Sequence, residues 1–461
     1  MKITIKHLGA LDQVQFSLGD LTIICGENNT GKTYATYALF GFLSFWREVF
    51  SVGLPRETID ELLKEGSVRI NLRSFVADAQ TIVSRGCDAY AQQLPRVFAA
   101  PKDRFEHSSF YVEVIPNDLR VKSSFERRMK AAKGDLFLLT KDADSEDLSV
   151  TLLVEKQDFQ LPPDAVYRVV SDAIKDIVFG SVFPNPFIAS AERTGAAIFR
   201  KELNFPRNRM LEEMSQADKK IDPLDLLFKV YEDYALPVKT NVEFTRQLES
   251  LVKQTSFVAT EHPEVMADFC DIIGGDYMVT REDQLYYVPK GKKVRLSMDE
   301  SSSAVRSLLD LGFYLRHVAK PGDLLMVDEP ELNLHPANQR RVARLFARLI
   351  NLGIKVFITT HSDYIIKELN TLIMLGRDIP RMREIAEREK YKPEEMLSAD
   401  SVRVYIAEEA LVDLGDGGRK KRRHTLVPAD INQEFGIEAR SFDATIDAMN
   451  RIQEEIVWGG E

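Results

Sequence analysis

The chain has 461 residues, 44% of them hydrophobic and 29% charged, which is the balance of an ordinary globular protein with room for a large core and two or three subdomains. Its 61 Lys and Arg against 71 Asp and Glu give a net charge of −10, which excludes a surface basic enough to coat nucleic acid along its length and leaves only local contacts. Three scattered cysteines, Cys25, Cys87 and Cys270, point to a reducing, cytoplasmic setting without a disulfide framework. No stretch approaches the roughly 18 uninterrupted apolar residues of a membrane span. The N-terminus alternates Lys with apolar residues, unlike a signal peptide.

In chain order, residues 1–7 and 14–18 alternate as strands do. The mostly apolar run 21–25 reads as a buried strand. It feeds a glycine-bearing loop, and Tyr34 to Phe45 reads as a helix. Residues 47–105 look helical and irregular. Strands are expected at 110–114, 136–139 and 150–154, with an acidic turn, Asp142 to Asp147, between the last two. A helix follows from Pro162 to Asp176. Next come a core strand at 186–190 and a polar loop at 191–195. Residues 198–273 read as helical with breaks at Pro206, Pro223, Pro237 and Pro263. The longest stretch there is about 25 residues, roughly 40 Å of helix. A small meander covers 277–298, and a serine-rich segment, Ser301 to Leu308, follows.

The second half continues with the apolar run Leu324 to Val327, ending in Asp328-Glu329. A helix spans Pro336 to Asn351 with Arg340, Arg341, Arg344 and Arg348 near one face, read as solvated, with subunit pairing as the alternative. A buried strand at 356–360 ends in His361-Ser362. The tail holds a strand at 402–407, a basic turn from Arg419 to His424 and a final amphipathic helix from Phe442 to Ile456. That basic turn is read as a solvated hairpin, with a local contact to nucleic acid or an acidic partner as the alternative.

Two motifs carry chemistry. Gly26-Glu27-Asn28-Asn29-Thr30-Gly31-Lys32-Thr33 is a full G-x-x-x-x-G-K-[ST] phosphate loop between a buried strand and a helix. Its backbone N–H groups, from Gly26 through Asn28, Asn29, Thr30 and Gly31, would cradle phosphate. Lys32 would bridge the β- and γ-phosphates, and Thr33 would ligate Mg²⁺. About three hundred residues later, Asp328 ends a buried strand, placed to hold the Mg²⁺ shell, and Glu329 is placed as the general base that polarises water. His361, at the end of the next buried strand, would sense the γ-phosphate. The cofactors implied are ATP and Mg²⁺.

The segments 26–33, 302–308, 328–336 and 360–362 resemble, in order and spacing, the Walker A, signature, Walker B with D-loop, and H-loop of SMC-like ABC ATPases. The DEPELNLHP stretch is similar to the branch that includes RecF-like and OLD-family proteins. It also resembles the ATPase subunits of the Septu, PARIS and retron-associated anti-phage systems, as does the Ala-Glu-Arg-Thr-Gly run within 189–203. The resemblance implies a mixed α/β ABC/SMC-type head assembled from both chain ends: residues 1–197 and 274–400 as its halves, a short helical insertion at 198–273 without a long coiled coil, and a tail at 401–461.

It also implies that Ser302 and Ser303, at the start of the signature helix, contact the γ-phosphate held by a second copy, so that two ATPs are sandwiched in a dimer. Ser303 and Ala304 replace the signature glycines. Three glutamines, Gln80, Gln157 and Gln160, are candidates for the Q-loop. OLD nucleases add a Toprim domain, but here Glu408-Glu409-Ala410 follows its strand without the glycine, and Asp413 and Asp416 have the wrong spacing. The implied role is the sensor or scaffold ATPase of an anti-phage complex that controls a separately encoded nuclease. The alternatives are a RecF-like repair ATPase on duplex DNA and a nucleotide-gated scaffold with very slow turnover.

Overall fold

The computed structural model describes residues 1–114, 119–131, 134–153, 162–200, 234–412, 421–437, 449 and 451–456. They separate into two compact units. One comprises Met1–Lys6, Phe42–Gln93 and Ser108–Asn185; the other comprises His7–Gly41, Leu94–His107 and Pro186–Glu461. The N-terminal strands are β1 (Lys2–Leu8), β2 (Leu11–Ser17) and β3 (Leu21–Gly26), and the helix Lys32–Val49 follows the phosphate loop.

In the first unit, residues 2–6 of β1 pair antiparallel with β5 (Ser109–Glu113), from Lys2 opposite Glu113 to Lys6 opposite Ser109. A separate antiparallel sheet has the order β4-β8-β7-β6, with β4 at Ser67–Asn71, β6 at Phe125–Ala131, β7 at Gly134–Lys141 and β8 at Asp147–Leu152. Strands β4 and β6 lie where no strand is expected. β4 alternates buried Val68 and Ile70 with exposed residues but over only five positions, and β6 carries four charged residues in seven, which hides its strand pattern.

The core of this unit is aromatic. Phe42, Trp46 and Phe50 follow helical spacing and meet Tyr90, Phe110, Phe179 and Phe183, with ring centroids 5.0 Å apart for Phe42–Phe110 and 5.2 Å for Trp46–Phe183. Beside it, Asp176 accepts from Arg47 Nε at 2.8 Å and from Arg127. Burial opposes its charge, yet the two guanidiniums hold its carboxyl below the usual range.

The second unit is built on a six-stranded sheet in the order β16-β15-β3-β14-β13-β9. Here β9 is Pro186–Ala189, and the meander β10 (Gly275–Val279), β11 (Leu285–Pro289) and β12 (Leu296–Ser297) forms its own small sheet. β13 is Leu324–Asp328, β14 Lys355–Thr360, β15 Val402–Val412 and β16 Lys421–Pro428. All neighbours are parallel except β16, which runs antiparallel to β15. The apolar runs of β3, β13 and β14 are buried throughout, as central parallel strands covered on both faces must be. Ile23, Leu325, Val327 and Ile358 join Val342 and Phe346 of helix Pro336–Asn351 and Leu369 of helix Asp363–Leu375 in one core.

Several expectations change. Residues from Arg193 form a short helix, Arg193–Ile198, rather than a polar loop, because the Arg193 side chain is drawn fully into the interior. Lys421 to His424 lie on β16, not in a turn, because β15 extends to Val412 and offers them a partner. Arg419 and Lys420 fall outside the described residues. The arginine face of helix Pro336–Asn351 is not simply solvated. Arg340 pairs with Glu368 at 2.6 Å, Arg344 with Glu395 at 2.7 Å, and the buried Arg348 with Asp268. Of the segment 198–273, residues 201–233 are not described; the rest holds short helices, the longest Leu236–Arg246 and Pro263–Ile273. Of the final helix, Met449 and Arg451 to Ile456 are described, and they are helical.

Candidate functional site

The sheet register sets the site. Cys25 lies opposite Thr360, and Thr359 lies opposite Asp328. The carboxyl ends of β3, β14 and β13 therefore finish side by side, where the connections diverge and leave room for a ligand. The phosphate loop, His361 and the Asp328-Glu329 pair leave from these three ends.

The loop takes its shape from residues with positive φ: Gly26 at +136°, Asn29 at +64° and Gly31 at +91°. Both glycines are required twice over. A Cβ on Gly26 would meet the Ala407 carbonyl oxygen of β15 at 2.6 Å, and one on Gly31 would meet Leu11 at 2.5 Å. Such alternations of handedness turn successive N–H groups inward and form an anion cradle. Lys32 is buried and donates from Nζ to the carbonyls of Gly26 at 2.9 Å and Glu27 at 2.6 Å. Thr30 Oγ1 closes the loop onto the Glu27 carbonyl at 2.8 Å. Burial lowers the Lys32 ammonium pKa, while the charges of Glu329 and Asp328 oppose that shift. Thr33 is exposed in the first turn of its helix, and Asn28 and Asn29 are exposed on the loop.

Asp328 is 3% exposed, and its Oδ1 accepts the Thr359 hydroxyl. Burial pushes its carboxyl up to about 6. The Thr359 bond and Arg193 work against that, and the adjacent Glu329 charge adds to it. Glu329 adopts φ +50°, a left-handed conformation that costs a non-glycine residue roughly 1 kcal/mol or more. Its N–H donates to the Thr359 carbonyl at 3.0 Å, which holds the turn. The partly exposed Glu329 carboxylate stands 3.9 Å from His361 Nδ1.

Two residues for which the sequence suggests no role complete the site. Glu331 is buried, and its Oε1 accepts the Thr360 hydroxyl at 2.8 Å and the His361 N–H at 2.8 Å, with His361 Nδ1 at 3.3 Å. It fixes the histidine beside Glu329. Arg193 is fully buried behind the turn: Nε donates to Ser307 O at 2.7 Å, Nη1 to Ser190 O at 2.8 Å and Asp328 O at 2.6 Å, and Nη2 to Glu329 O at 2.8 Å. The sequence signal for Glu331 is its place two residues past Glu329 in the DEPELNLHP stretch. Arg193 had none beyond the Ala-Glu-Arg-Thr-Gly run.

Ser302 caps helix Ser303–Ser307, its Oγ accepting from Val305 N at 3.3 Å. Arg306 folds back onto the carbonyls of Met298 and Ser301. Gln80, a Q-loop candidate, bridges within the first unit, donating to Val112 O at 3.1 Å and accepting from Val114 N at 2.9 Å. Gln157, Gln160, Asp413 and Asp416 lie outside the described residues. Next to the phosphate loop is a cavity of about 610 Å³, bordered by Gly26, Glu27, Thr30, His361, Glu408 and Glu409. Across β15 and β16, Arg422 and His424 each lie 3.6 Å from Glu409, so part of the basic segment faces an acidic neighbour.

The donor set fits a magnesium nucleotide: a backbone cradle, a buried ammonium, the Thr33 hydroxyl and the buried Asp328 carboxylate. Among the described residues no three His, Cys, Asp or Glu side chains cluster as a metal site. Mg²⁺ in a phosphate-loop site needs no such cluster, since phosphate oxygens and water fill most of its shell. Among the described residues no helix is long and apolar enough to cross a membrane.

Residues 135–367 match the family model described as "AAA domain, putative AbiEii toxin, Type IV TA system". No curated protein matches the chain. Similar solved structures include the SMC head bound to the C-winged helix domain of ScpA, at 12% identity and a TM-score of 0.31, covering 80% of this chain and 91% of that one. The SMC head with an extended coiled coil bound to the C-terminal domain of ScpA, from Pyrococcus furiosus, is 13% identical with a TM-score of 0.31 and 98% coverage of both chains. The SMC head from Thermotoga maritima is 10% identical with a TM-score of 0.29, covering 93% of this chain and 98% of that one.

Proposed function

We propose, since the chain belongs to this family of AAA domains, that it binds ATP with Mg²⁺ and hydrolyses it. The observation that carries the reading is the convergence of the phosphate loop, the Asp328-Glu329 turn and His361 at three adjacent strand ends. Lys32 leaves the loop carbonyls to meet the β- and γ-phosphates. Thr33 and Asp328 would hold the metal shell, and Mg²⁺, when bound, would supply neutralisation of phosphate charge. Glu329 takes the proton of the attacking water. His361, oriented by Glu331, donates to the γ-phosphate. The test is phosphate release from ATP by the purified chain, with and without Mg²⁺.

The cellular role we propose is the sensor or scaffold ATPase of an anti-phage complex, acting on a separately encoded nuclease. The words "putative AbiEii toxin, Type IV TA system" in the family's description agree with a defence setting. Glu408 and Glu409 are paired strand residues facing Thr425 and His424, not the start of a metal-binding turn of the Toprim kind. The purified chain is therefore expected not to cut DNA or RNA with Mg²⁺ or Mn²⁺. Metal-dependent cleavage lost on changing the carboxylates of the tail would contradict this.

The proposed assembly is a dimer with two ATPs at the interface, each met by the Ser302 and Ser303 helix start of the other copy. Ser302→Arg is expected to block ATP-driven pairing, because a bulky cation would stand in the path of the second subunit. Its effect on ATP affinity should stay within about threefold, less than ~1 kcal/mol, since Lys32 and Thr33 are untouched. Calorimetry and oligomer mass on the same sample check it. Normal pairing, or loss of ATP binding by the monomer, would show that the segment does not act across an interface.

A further inference from the structure

We propose that Arg193 is a positioning residue that locks the catalytic turn to the signature helix. This inference rests on the ATPase reading of the site. One guanidinium spans backbone carbonyls from three segments: Ser190 after β9, Ser307 at the end of helix Ser303–Ser307, and Asp328 and Glu329 at the end of β13. Its side chain is almost wholly buried, so no water competes for these bonds. Arginine alone among side chains offers five donors in a rigid planar fork, and here all three nitrogens are engaged.

The bonds reach the right atoms. Glu329 sits at φ +50°, and Nη2 holds the carbonyl of that same residue. The Glu329 N–H is held from the other side by Thr359. The general base is thus pinned on both its peptide units, each of which offers a carbonyl, Asp328 O or Glu329 O, to Arg193. Nε binds the last residue of the signature helix, so a displacement of that helix is felt at the Glu329 backbone through a single rigid group. A second acidic group shares the burial: Asp310, on helix Leu309–Phe313, has neither oxygen hydrogen-bonded among the described residues, and burial pushes its carboxyl up to about 7 although the Arg193 charge opposes that in part.

The prediction is that nucleotide binding and turnover separate. Arg193→Lys keeps the charge and loses the fork, so kcat for ATP hydrolysis should fall by at least about tenfold while KM stays within about threefold. In Arg193→Gly, millimolar guanidinium should restore part of the lost turnover. In the nucleotide-free protein, amide hydrogen exchange of Arg193→Lys should rise together in segments 303–308 and 328–332, with segment 26–33 unchanged. This exchange measurement needs no turnover, so it decides the coupling even if wild type proves not to hydrolyse ATP, a result that would instead defeat the ATPase reading. Wild-type kcat in Arg193→Lys, or a uniform rise in exchange across all three segments with no guanidinium rescue, would overturn the proposal and leave Arg193 a core-filling cation.

Discussion

Glu329→Gln is expected to keep ATP bound and to lower its turnover by about 10²- to 10⁴-fold, the range that a general base contributes. The amide fills the same space but cannot accept the water proton. The surrounding geometry should survive, because the turn is held through the Glu329 backbone, by Thr359 on one side and Arg193 on the other, and not through its carboxylate. Retained ATP should also prolong the paired state if two copies close on it. Turnover at the wild-type rate in the purified variant would remove Glu329 from the mechanism. The adjacent Asp328 cannot substitute for it, since it is buried and its oxygen accepts the Thr359 hydroxyl.

Lys32→Ala is expected to weaken ATP binding by about 100-fold, equivalent to ~3 kcal/mol, the loss of one or two charge-assisted hydrogen bonds to phosphate. The fold should tolerate the change. Lys32 is buried, its charge is opposed by burial, and the two loop carbonyls that accept its hydrogen bonds can be met by water instead. Calorimetric titration with ATP checks the affinity, and a thermal melt checks the fold. Unchanged affinity would place the nucleotide elsewhere.

The parts of this site that the sequence discloses are those fixed by local geometry. Gly26 and Gly31 are dictated by positive φ and by the approach of Ala407 and Leu11, so the loop can be read as a motif. β13 and β14 announce themselves because a parallel strand covered on both faces must be apolar along its whole length. Arg193 and Glu331 escape notice because their roles come from tertiary approach. Arg193 bonds residues 114 and 135 positions away, and nothing in its neighbourhood along the chain foretells them. The arginines of helix Pro336–Asn351 mislead for the same reason. Their periodicity marks an outer face, and Arg340 and Arg341 are exposed, but Asp268, Glu368 and Glu395 arrive from distant segments and pair with Arg348, Arg340 and Arg344. β6 is hidden by its charges, and the basic turn by the unanticipated length of β15.

The most direct test is steady-state phosphate release from ATP by purified wild-type chain, measured beside Lys32→Ala and Glu329→Gln at equal concentration. The site described here predicts release that requires Mg²⁺ and falls to background in both variants. Release that persists in both, or wild-type protein that binds ATP tightly and never releases phosphate, would contradict it.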